Sequence, residues 1–317
     1  MALSSVDTAD RLVSIGLDSI IRVWDIDSCK ILQSVNTFDY DFGYPRLSYC
    51  FDYNSLASTR DATIHIWNMD SLGPLENTLT IQTVMKDIRS LCYVPDGSRV
   101  VCGDVDGTVA CFSTLTGETL WSKPIHPHSR VYTLDVSFDG TLIVSSGDGP
   151  SICISFVESG EIRSSIGCED LVPDITFNPN ASKIAAACNG GHVRIWDVAS
   201  CSQTSILGGH GSMVSSVSYS PDGTRLASSS TEIIIYDVDE DIGAILHTLK
   251  GYGSRCDIYA LSFSSDGRYL ASGGDSGEDE EIMIWNAITG QYIKKINACC
   301  ILNVLLFLPP NSNYLLK

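Results

Sequence analysis

A repeated unit limits the folds open to this 317-residue chain more than any other feature. Each copy holds an apolar strand, a turn of the type x-Asp-Gly, a second strand ending in small residues, and a third strand that closes on an aromatic residue. The closing aromatics are spaced 40 to 49 residues apart: Trp24, Trp67, Phe112, Phe156, Trp196, Tyr236 and Trp285. Repeats of this length indicate units that stack, because one unit alone cannot bury both of its faces.

Within each repeat, Val, Ile, Leu and aromatic residues alternate with turn residues, and no amphipathic helical pattern of useful length occurs. The turn recurs at residues 94–97, 137–140, 220–223 and 264–267. These patterns predict an all-β protein made of seven similar small sheets. With 44% apolar residues the chain has enough material to build a core between such sheets.

The chain resembles the WD40-repeat β-propeller family over nearly its whole length. The dipeptides that carry the resemblance are Trp24-Asp25, Trp196-Asp197, Tyr236-Asp237, the weaker Trp67-Asn68 and Trp285-Asn286, and Gly209-His210. The resemblance implies a seven-bladed β-propeller of four-stranded antiparallel blades, here a single domain over residues 1–317. We label the strands of a blade a to d, outward from the axis.

In this family a His, a Ser or Thr, an Asp and the Trp of a blade often form a hydrogen-bonded tetrad. Three blades match it only in part, since each lacks the His: Ser14, Asp18 and Trp24; Ser58, Asp61 and Trp67; Ser272, Asp275 and Trp285. We interpret His210 as a tetrad member. His126 and His128 flank Pro127, and we expect them in an exposed loop.

Both ends of the chain hold a strand-like segment beyond the seven repeats, residues 2–6 and residues 301–308. The C-terminal segment either completes the first blade and closes the ring, or begins an eighth blade of a longer protein. We favour ring closure.

Charge and motifs exclude several classes of function. The net charge is −18, and such a surface repels phosphate backbones and anionic membranes. We therefore expect no direct DNA binding and no membrane insertion, and RNA binding is disfavoured. The N-terminus has no basic start and no apolar signal segment, so we expect a cytoplasmic or nuclear protein rather than a secreted one.

Motifs for cofactor, metal or catalytic chemistry are absent from the sequence. It contains no GxxxxGK[ST], GxGxxG, HExxH or GxSxG motif, and its twelve cysteines never form CxxC. We expect no cofactor, no metal and no catalytic residues, and we interpret the cysteines as buried thiols rather than a disulfide framework.

A partner-binding surface is predicted on the top face, where the loops from strand d to strand a and from b to c lie together. Aligning the strands a places Arg89, Tyr132, Ser215 and Tyr259 at one equivalent position near the channel. The predicted binding residues are Arg46, Arg89, Arg130, Tyr132, Met213, Arg255, Asp257 and Tyr259. Arg and Tyr are enriched at binding hot spots, and Arg suits acidic or phosphorylated peptides. In the alternative interpretation these arginines pair with nearby acids: Asp41, Asp87, Glu169, Asp170 and Asp257.

An acidic loop lengthens the b-to-c turn of the last blade. Its acids are Asp275, Glu278, Asp279, Glu280 and Glu281. The loop is either a contact for a basic partner segment or a solvated charged turn. A divalent cation is a third option, but the order of the acids does not match an EF-hand.

The sequence predicts a non-catalytic scaffold that binds a peptide or protein partner on the top face, within a multiprotein complex. One alternative is an RNA-associated or ribonucleoprotein-assembly scaffold, which requires a basic patch. The other is a propeller enzyme, which requires a convergent polar cluster in the channel with shifted pKa values.

Overall fold

The computed structural model describes residues 11–37, 45–51, 53–69, 75–149, 151–239, 243–252, 256–275, 280–298 and 300–308. These residues form 28 strands, arranged as seven four-stranded antiparallel sheets. The fold is the predicted all-β propeller, and each sheet is one blade.

The first four blades contain the following strands. Blade 1 holds β1 (Arg11–Gly16), β2 (Ile20–Asp25), β3 (Lys30–Asn36) and the C-terminal β28 (Leu302–Leu308). Blade 2 holds β4 (Leu47–Cys50), β5 (Ser55–Arg60), β6 (Thr63–Asn68) and β7 (Glu76–Gln82). Blade 3 holds β8 (Ile88–Tyr93), β9 (Arg99–Asp104), β10 (Thr108–Ser113) and β11 (Thr119–Pro124). Blade 4 holds β12 (Val131–Val136), β13 (Leu142–Gly147), β14 (Ser151–Phe156) and β15 (Ile162–Gly167).

The last three blades follow the same order from strand a to strand d. Blade 5 holds β16 (Asp174–Phe177), β17 (Lys183–Ala187), β18 (Val193–Asp197) and β19 (Gln203–Leu207). Blade 6 holds β20 (Ser216–Tyr219), β21 (Arg225–Ser229), β22 (Ile233–Asp237) and β23 (Ala244–Leu249). Blade 7 holds β24 (Asp257–Phe263), β25 (Tyr269–Asp275), β26 (Glu281–Asn286) and β27 (Tyr292–Asn297). No helix in these ranges is long and apolar enough to span a membrane.

The core consists of seven apolar clusters, and each lies between two neighbouring blades. Strands b and c are buried on both faces, as in the fully buried β13, and therefore carry nearly continuous apolar or small residues. The outermost strands alternate or are mostly exposed, as in β3. Stacking around a ring thus covers faces that a single blade would leave in water.

The C-terminal strand β28 is strand a of blade 1. It pairs antiparallel with β1, with Leu305 opposite Ser14 and Phe307 opposite Leu12. Leu305 and Phe307 are buried in the cluster between blades 7 and 1. Blade 1 is therefore built from both ends of the chain, the first of the two arrangements considered above; residues 2–6 lie outside the described residues.

Contacts between strands a of neighbouring blades satisfy part of the inner edge of each sheet, which has no further strand to pair with. Ser48 accepts a hydrogen bond from the backbone N–H of Tyr93 at 2.9 Å, and Ser262 accepts one from Phe307 at 3.1 Å. Asp135 occupies the equivalent position in blade 4 and accepts one from Phe177 at 2.8 Å. These side chains link consecutive blades at the axis.

The closing aromatic of blade 4 is a correction to the sequence analysis. Phe156 is 42% exposed, whereas the other six predicted closing aromatics are buried. The buried Ser155 occupies the closing position of blade 4. It pairs with Ile143 of strand b, just as the closing Trp67 of blade 2 pairs with Leu56. In both blades the ladder between strands c and d shifts register at the closing residue. The prediction was one residue out, which in a strand places the side chain on the opposite face.

Candidate functional site: the top mouth of the axial channel

The strands a of all seven blades enclose an axial cavity of about 460 Å³. Its wall includes one aliphatic residue from each blade: Leu305, Leu47, Leu91, Leu134, Ile175, Val217 and Leu261. At the end where the d-to-a loops enter, larger and more polar side chains line it. We call this end the top mouth and define it by Arg46, Arg89, Tyr132, Pro173, Ser215, Tyr259 and Asn303.

A backbone irregularity explains why the same position of several blades faces the mouth. The ladder between strands a and b shifts register at Arg89, at Tyr132 and at Tyr259, so each is the extra residue of a β-bulge. Asn303 is the corresponding bulge residue of blade 1. Bulges re-aim side chains and often lie near functional sites. The structure thus places Arg89, Tyr132, Ser215 and Tyr259, which the sequence alignment grouped, on one cavity wall.

The arginines of the mouth lie among local acceptors. Arg89 Nη2 lies 2.6 Å from Asp87 Oδ2, which is one of the pairings that the alternative interpretation predicted. Arg46 donates from Nε to the carbonyl oxygen of Arg89 at 2.6 Å. Arg130 is more open, with its side chain over half exposed and Nε 3.7 Å from Asp148 Oδ2. Its partner Asp148 was not among the predicted acids.

The two tyrosines of the mouth keep their hydroxyls protonated at neutral pH. A hydrogen bond between Tyr132 and Asp148 raises the pKa of the tyrosine and lowers the pKa of the carboxyl. Burial, followed by the charge of Asp257, raises the pKa of Tyr259, whose side chain is still 39% exposed. Each offers a rigid apolar ring with a polar tip.

The other predicted binding residues lie around the mouth rather than on its wall. Asp257 begins β24, opposite Asp275 in the ladder, and is exposed. Met213 is exposed in the loop before β20 and does not line the cavity. Arg255 lies outside the described residues. The mouth thus brings together Arg46, Arg89, Tyr132 and Tyr259, with Arg130 beside them.

Part of the acidic loop is described. Glu281 pairs with Lys295 across blade 7. Burial, and then the charges of Asp275 and Asp18, raises the pKa of Glu280. Glu278 and Asp279 lie outside the described residues. Within the described part of the chain, no group of three or more His, Cys, Asp or Glu is placed to hold a metal ion.

Two half-buried carboxylates lie in the channel wall, Asp135 and Asp174, and partial loss of hydration is the main cause that raises their pKa values. The enzyme alternative required a channel cluster with shifted pKa values. Asp174 accepts hydrogen bonds at both oxygens, from Ile175 N, Thr133 Oγ1, Ser216 Oγ and Val217 N. Asp135 is held similarly, by Val136 N, Phe177 N and Thr176 Oγ1. These contacts join blades 4, 5 and 6, so both carboxylates act as links between blades.

Comparison with known proteins decides the family. Five consecutive segments match the family model described as WD domain, G-beta repeat: residues 78–113, 118–154, 160–197, 200–237 and 243–286. The chain belongs to the WD40 family.

Similar WD40 proteins include a guanine nucleotide-binding protein subunit beta of Arabidopsis thaliana, 24% identical over 85% of this chain and 74% of that protein. Another is the apoptotic protease-activating factor 1 of Rattus norvegicus, 27% identical over 65% of this chain. A third is the periodic tryptophan protein 2 of Arabidopsis thaliana, 23% identical over 81% of this chain. The chain spans only 16% and 30% of the latter two proteins.

The WD40 tetrads are more complete than the sequence analysis predicted. His210 Nε2 lies 2.6 Å from Ser228 Oγ, as expected of a tetrad member. His126 was expected to be exposed, but it is only 4% exposed and its Nε2 lies 2.8 Å from Ser145 Oγ. In blade 7, where a His arm was judged missing, Tyr252 contacts Ser272 instead. The six histidines of the WD40 chain thus include two that support blades.

Proposed function

We propose that this WD40 protein is a non-catalytic scaffold whose top mouth binds a peptide segment of a partner protein. The observation that carries the proposal is the set of bulged strands a, which present Arg89, Tyr132 and Tyr259 together at the opening of a 460 Å³ channel. None of the three belongs to the repeat motif. Loop and bulge residues outside the packing pattern are free to specify a partner.

The contacts indicate different roles in peptide binding for the tyrosines and the arginines of the mouth. The two tyrosine rings supply apolar area at low entropic cost, and each ring ends in a polar hydroxyl. Arg130, with its loose contact to Asp148, is the arginine best placed to turn toward a carboxylate or carbonyl of the peptide. Arg89 and Arg46 are more constrained by their local acceptors, and they give the wall its shape.

The relatives support a role in assemblies. One of them is by name a subunit of a guanine nucleotide-binding protein, and another is by name an activating factor for a protease. We therefore expect a protein partner within a larger complex.

Affinity capture with matched variants tests the proposal. The test variant carries Arg89→Ala, Arg130→Ala and Tyr259→Ala. The control carries Arg163→Ala, Arg268→Ala and Tyr292→Ala, which remove the same residue types from exposed positions away from the mouth. Both are first checked for an unchanged melting temperature.

We expect partners captured by wild type and by the control, quantified by mass spectrometry, to be lost from the test variant. A captured protein is then divided into peptides, and direct binding is measured by fluorescence polarisation against all three proteins. Equal binding by the folded test variant would place the interaction on another surface. The acidic loop would then be the next surface to test. Binding that requires RNA, removed by nuclease, would favour the ribonucleoprotein alternative.

A further inference from the structure

Blade 5 lacks the serine that pairs with the closing tryptophan in other blades. In blades 1, 2 and 7 the indole N–H donates to a serine of strand b at 2.8 to 2.9 Å: Trp24 to Ser14, Trp67 to Ser58 and Trp285 to Ser272. Each serine lies two residues after the strand-b residue that pairs with the tryptophan. In blade 5 Trp196 pairs with Ile184, so Ala186 takes the place of the serine. A methyl group thus replaces the acceptor of the indole N–H.

The Trp196 side chain is only 2% exposed, yet among the residues that the structure describes none accepts a hydrogen bond from its Nε1. Arg194 Nε also lacks a partner within the described part of the chain, but that atom is sealed from solvent, whereas Trp196 Nε1 is not. A buried donor without an acceptor lowers stability, and a ligand that supplies the acceptor recovers this free energy. Trp196 therefore presents a hydrogen-bond donor that the blade itself does not use.

Trp196 lines a cavity of about 430 Å³ in the side wall, between the end of β15 in blade 4 and β18 in blade 5. Its other polar side chains are Ser165, Glu169, Arg194 and Gln203. A Cβ on Gly167 would meet no atom within 4 Å, so the cavity is open where β15 ends. A concave site of this volume, with a few polar groups, suits a small ligand.

The charges around the cavity disfavour an anion. Arg194 Nη2 lies 3.2 Å from Asp170 Oδ2 and 3.5 Å from Glu169 Oε2. Its Nη1 donates to Gln203 Oε1 at 3.1 Å. The guanidinium is thus already held by local acceptors, and a protein of net charge −18 repels anions.

A cation fits no better, because an ammonium group offers no acceptor to the indole N–H. The cavity does contain an acceptor of its own. The Glu169 side chain is 89% exposed and makes only the long contact to Arg194, so its carboxylate can turn toward a ligand. The wall therefore pairs one donor, at Trp196, with one acceptor, at Glu169.

We propose that the side-wall cavity binds a neutral carboxamide group. Its oxygen accepts the hydrogen bond from Trp196 Nε1, and its NH₂ group donates to the carboxylate of Glu169. A small amide carries this group, and so does a glutamine side chain of a partner protein. The site lies at the junction of blades 4 and 5 and does not depend on the proposed function of the top mouth.

Nuclear magnetic resonance of the full-length protein labelled with ¹⁵N-tryptophan tests the proposal, because the five tryptophans give five indole signals. Trp196→Phe identifies the signal of Trp196. The probes share one ring and differ in charge: benzamide, benzoate and benzylammonium. We expect only benzamide to shift the Trp196 signal downfield in a saturable way, with a Kd of about 1 mM for a ligand of this size. The other four signals should stay in place.

A second pair of probes separates the two sources of the carboxamide. A glycine pentapeptide with a central glutamine is compared with one that has a central glutamate. A shift caused by the glutamine peptide would indicate a protein side chain as ligand, and a shift caused by benzamide alone would indicate a small molecule. No saturable shift with either would overturn the proposal, and so would an equal shift with benzoate or benzylammonium.

Restoring the missing serine tests the role of the indole N–H. In Ala186→Ser we expect the free Trp196 signal to move toward those of the paired tryptophans, and the affinity for the carboxamide probe to fall about tenfold. Ala199→Ser makes the same change at an exposed position outside the cavity and should bind like wild type. Unchanged affinity in folded Ala186→Ser would contradict the assignment. If that variant does not fold, the comparison of the charged and neutral probes on wild type decides.

Discussion

The Tyr252 hydroxyl lies 2.8 Å from Ser272 Oγ, in the place that histidine holds against serine in blades 4 and 6. Ser272 also accepts a hydrogen bond from Trp285 Nε1 at 2.9 Å. The phenol ring therefore completes a three-membered network in a blade that has no histidine. Burial raises the pKa of Tyr252, so the hydroxyl remains protonated and continues to donate.

We expect Tyr252→Phe to lower the free energy of unfolding by about 1 to 2 kcal/mol, because a buried hydrogen bond is lost while the ring still packs. Urea unfolding followed by circular dichroism measures it. Tyr292→Phe is the matched control, since that side chain is more than half exposed, and it should leave stability unchanged. Equal midpoints for the two variants would show that the contact is energetically neutral.

The repeat spacing predicted the fold because strand alternation and turn residues recur in every blade. His210 was predicted as a tetrad arm, whereas His126 and Tyr252 were not, because the distance between such an arm and strand a varies. His210, His126 and Tyr252 lie four, five and six residues before the first core residue of their strands, Val214, Val131 and Ile258. No fixed spacing identifies such residues, and only the folded loop brings them to the serine.

The mouth was predictable only in part, for a similar reason. Apolar alternation aligned Arg89, Tyr132 and Tyr259 correctly, because it fixes the register of strand a. It says nothing of Asp148, which comes from a b-to-c turn and meets Arg130 and Tyr132 across the blade. The bulges that give the shared orientation leave no mark in the residue types themselves.

Ser155 offers a stabilising substitution. It lies at the closing position of blade 4, and within the described part of the chain its buried Oγ has no hydrogen-bond partner. We expect Ser155→Ala to raise the free energy of unfolding by about 1 kcal/mol, because an unsatisfied hydroxyl no longer has to be buried. Ser145→Ala is the control: it removes the partner of His126 and should destabilise by a similar amount. A loss of stability in both would mean that Ser155 finds a partner in solution.

The buried histidines make stability depend on pH. Burial lowers the pKa of His126 and of His210 from 6.5 to about 4. Between these values the unfolded chain binds protons that the folded chain does not, so these histidines reduce stability as pH falls from 6.5 to about 4, and the reduction is complete below that. We expect a variant with His126→Gln and His210→Gln to lose less stability than wild type between pH 7 and pH 5. His128→Gln, an exposed neighbour, should follow the wild-type curve; parallel curves for all three would contradict the assignment.

The channel carboxylate Asp174 should be essential to the inner ring. Asp174→Ala leaves the backbone N–H of Val217 and the hydroxyl of Ser216 without their acceptor, and we expect it to destabilise by about 3 kcal/mol. Asp257→Ala removes an exposed carboxylate from the neighbouring rim and should change the unfolding midpoint little. A small effect at Asp174 would show that water replaces the carboxylate in the channel.

Closure of blade 1 by β28 predicts a sharp dependence on the last described strand. A chain ending at Leu308 keeps the strand, whereas a chain ending at Ile301 exposes the inner edge of β1 and removes Leu305 and Phe307 from the cluster between blades 7 and 1. Burying two such side chains contributes several kcal/mol, about 1.5 to 3 kcal/mol each, so we expect the shorter chain to lose cooperative melting and bind an apolar dye.

The longer chain should melt like wild type. A peptide of residues 300–310 added in trans should restore part of the transition to the shorter chain, because it can pair with β1. Cooperative melting of the shorter chain at the wild-type temperature would show that the ring holds without this strand.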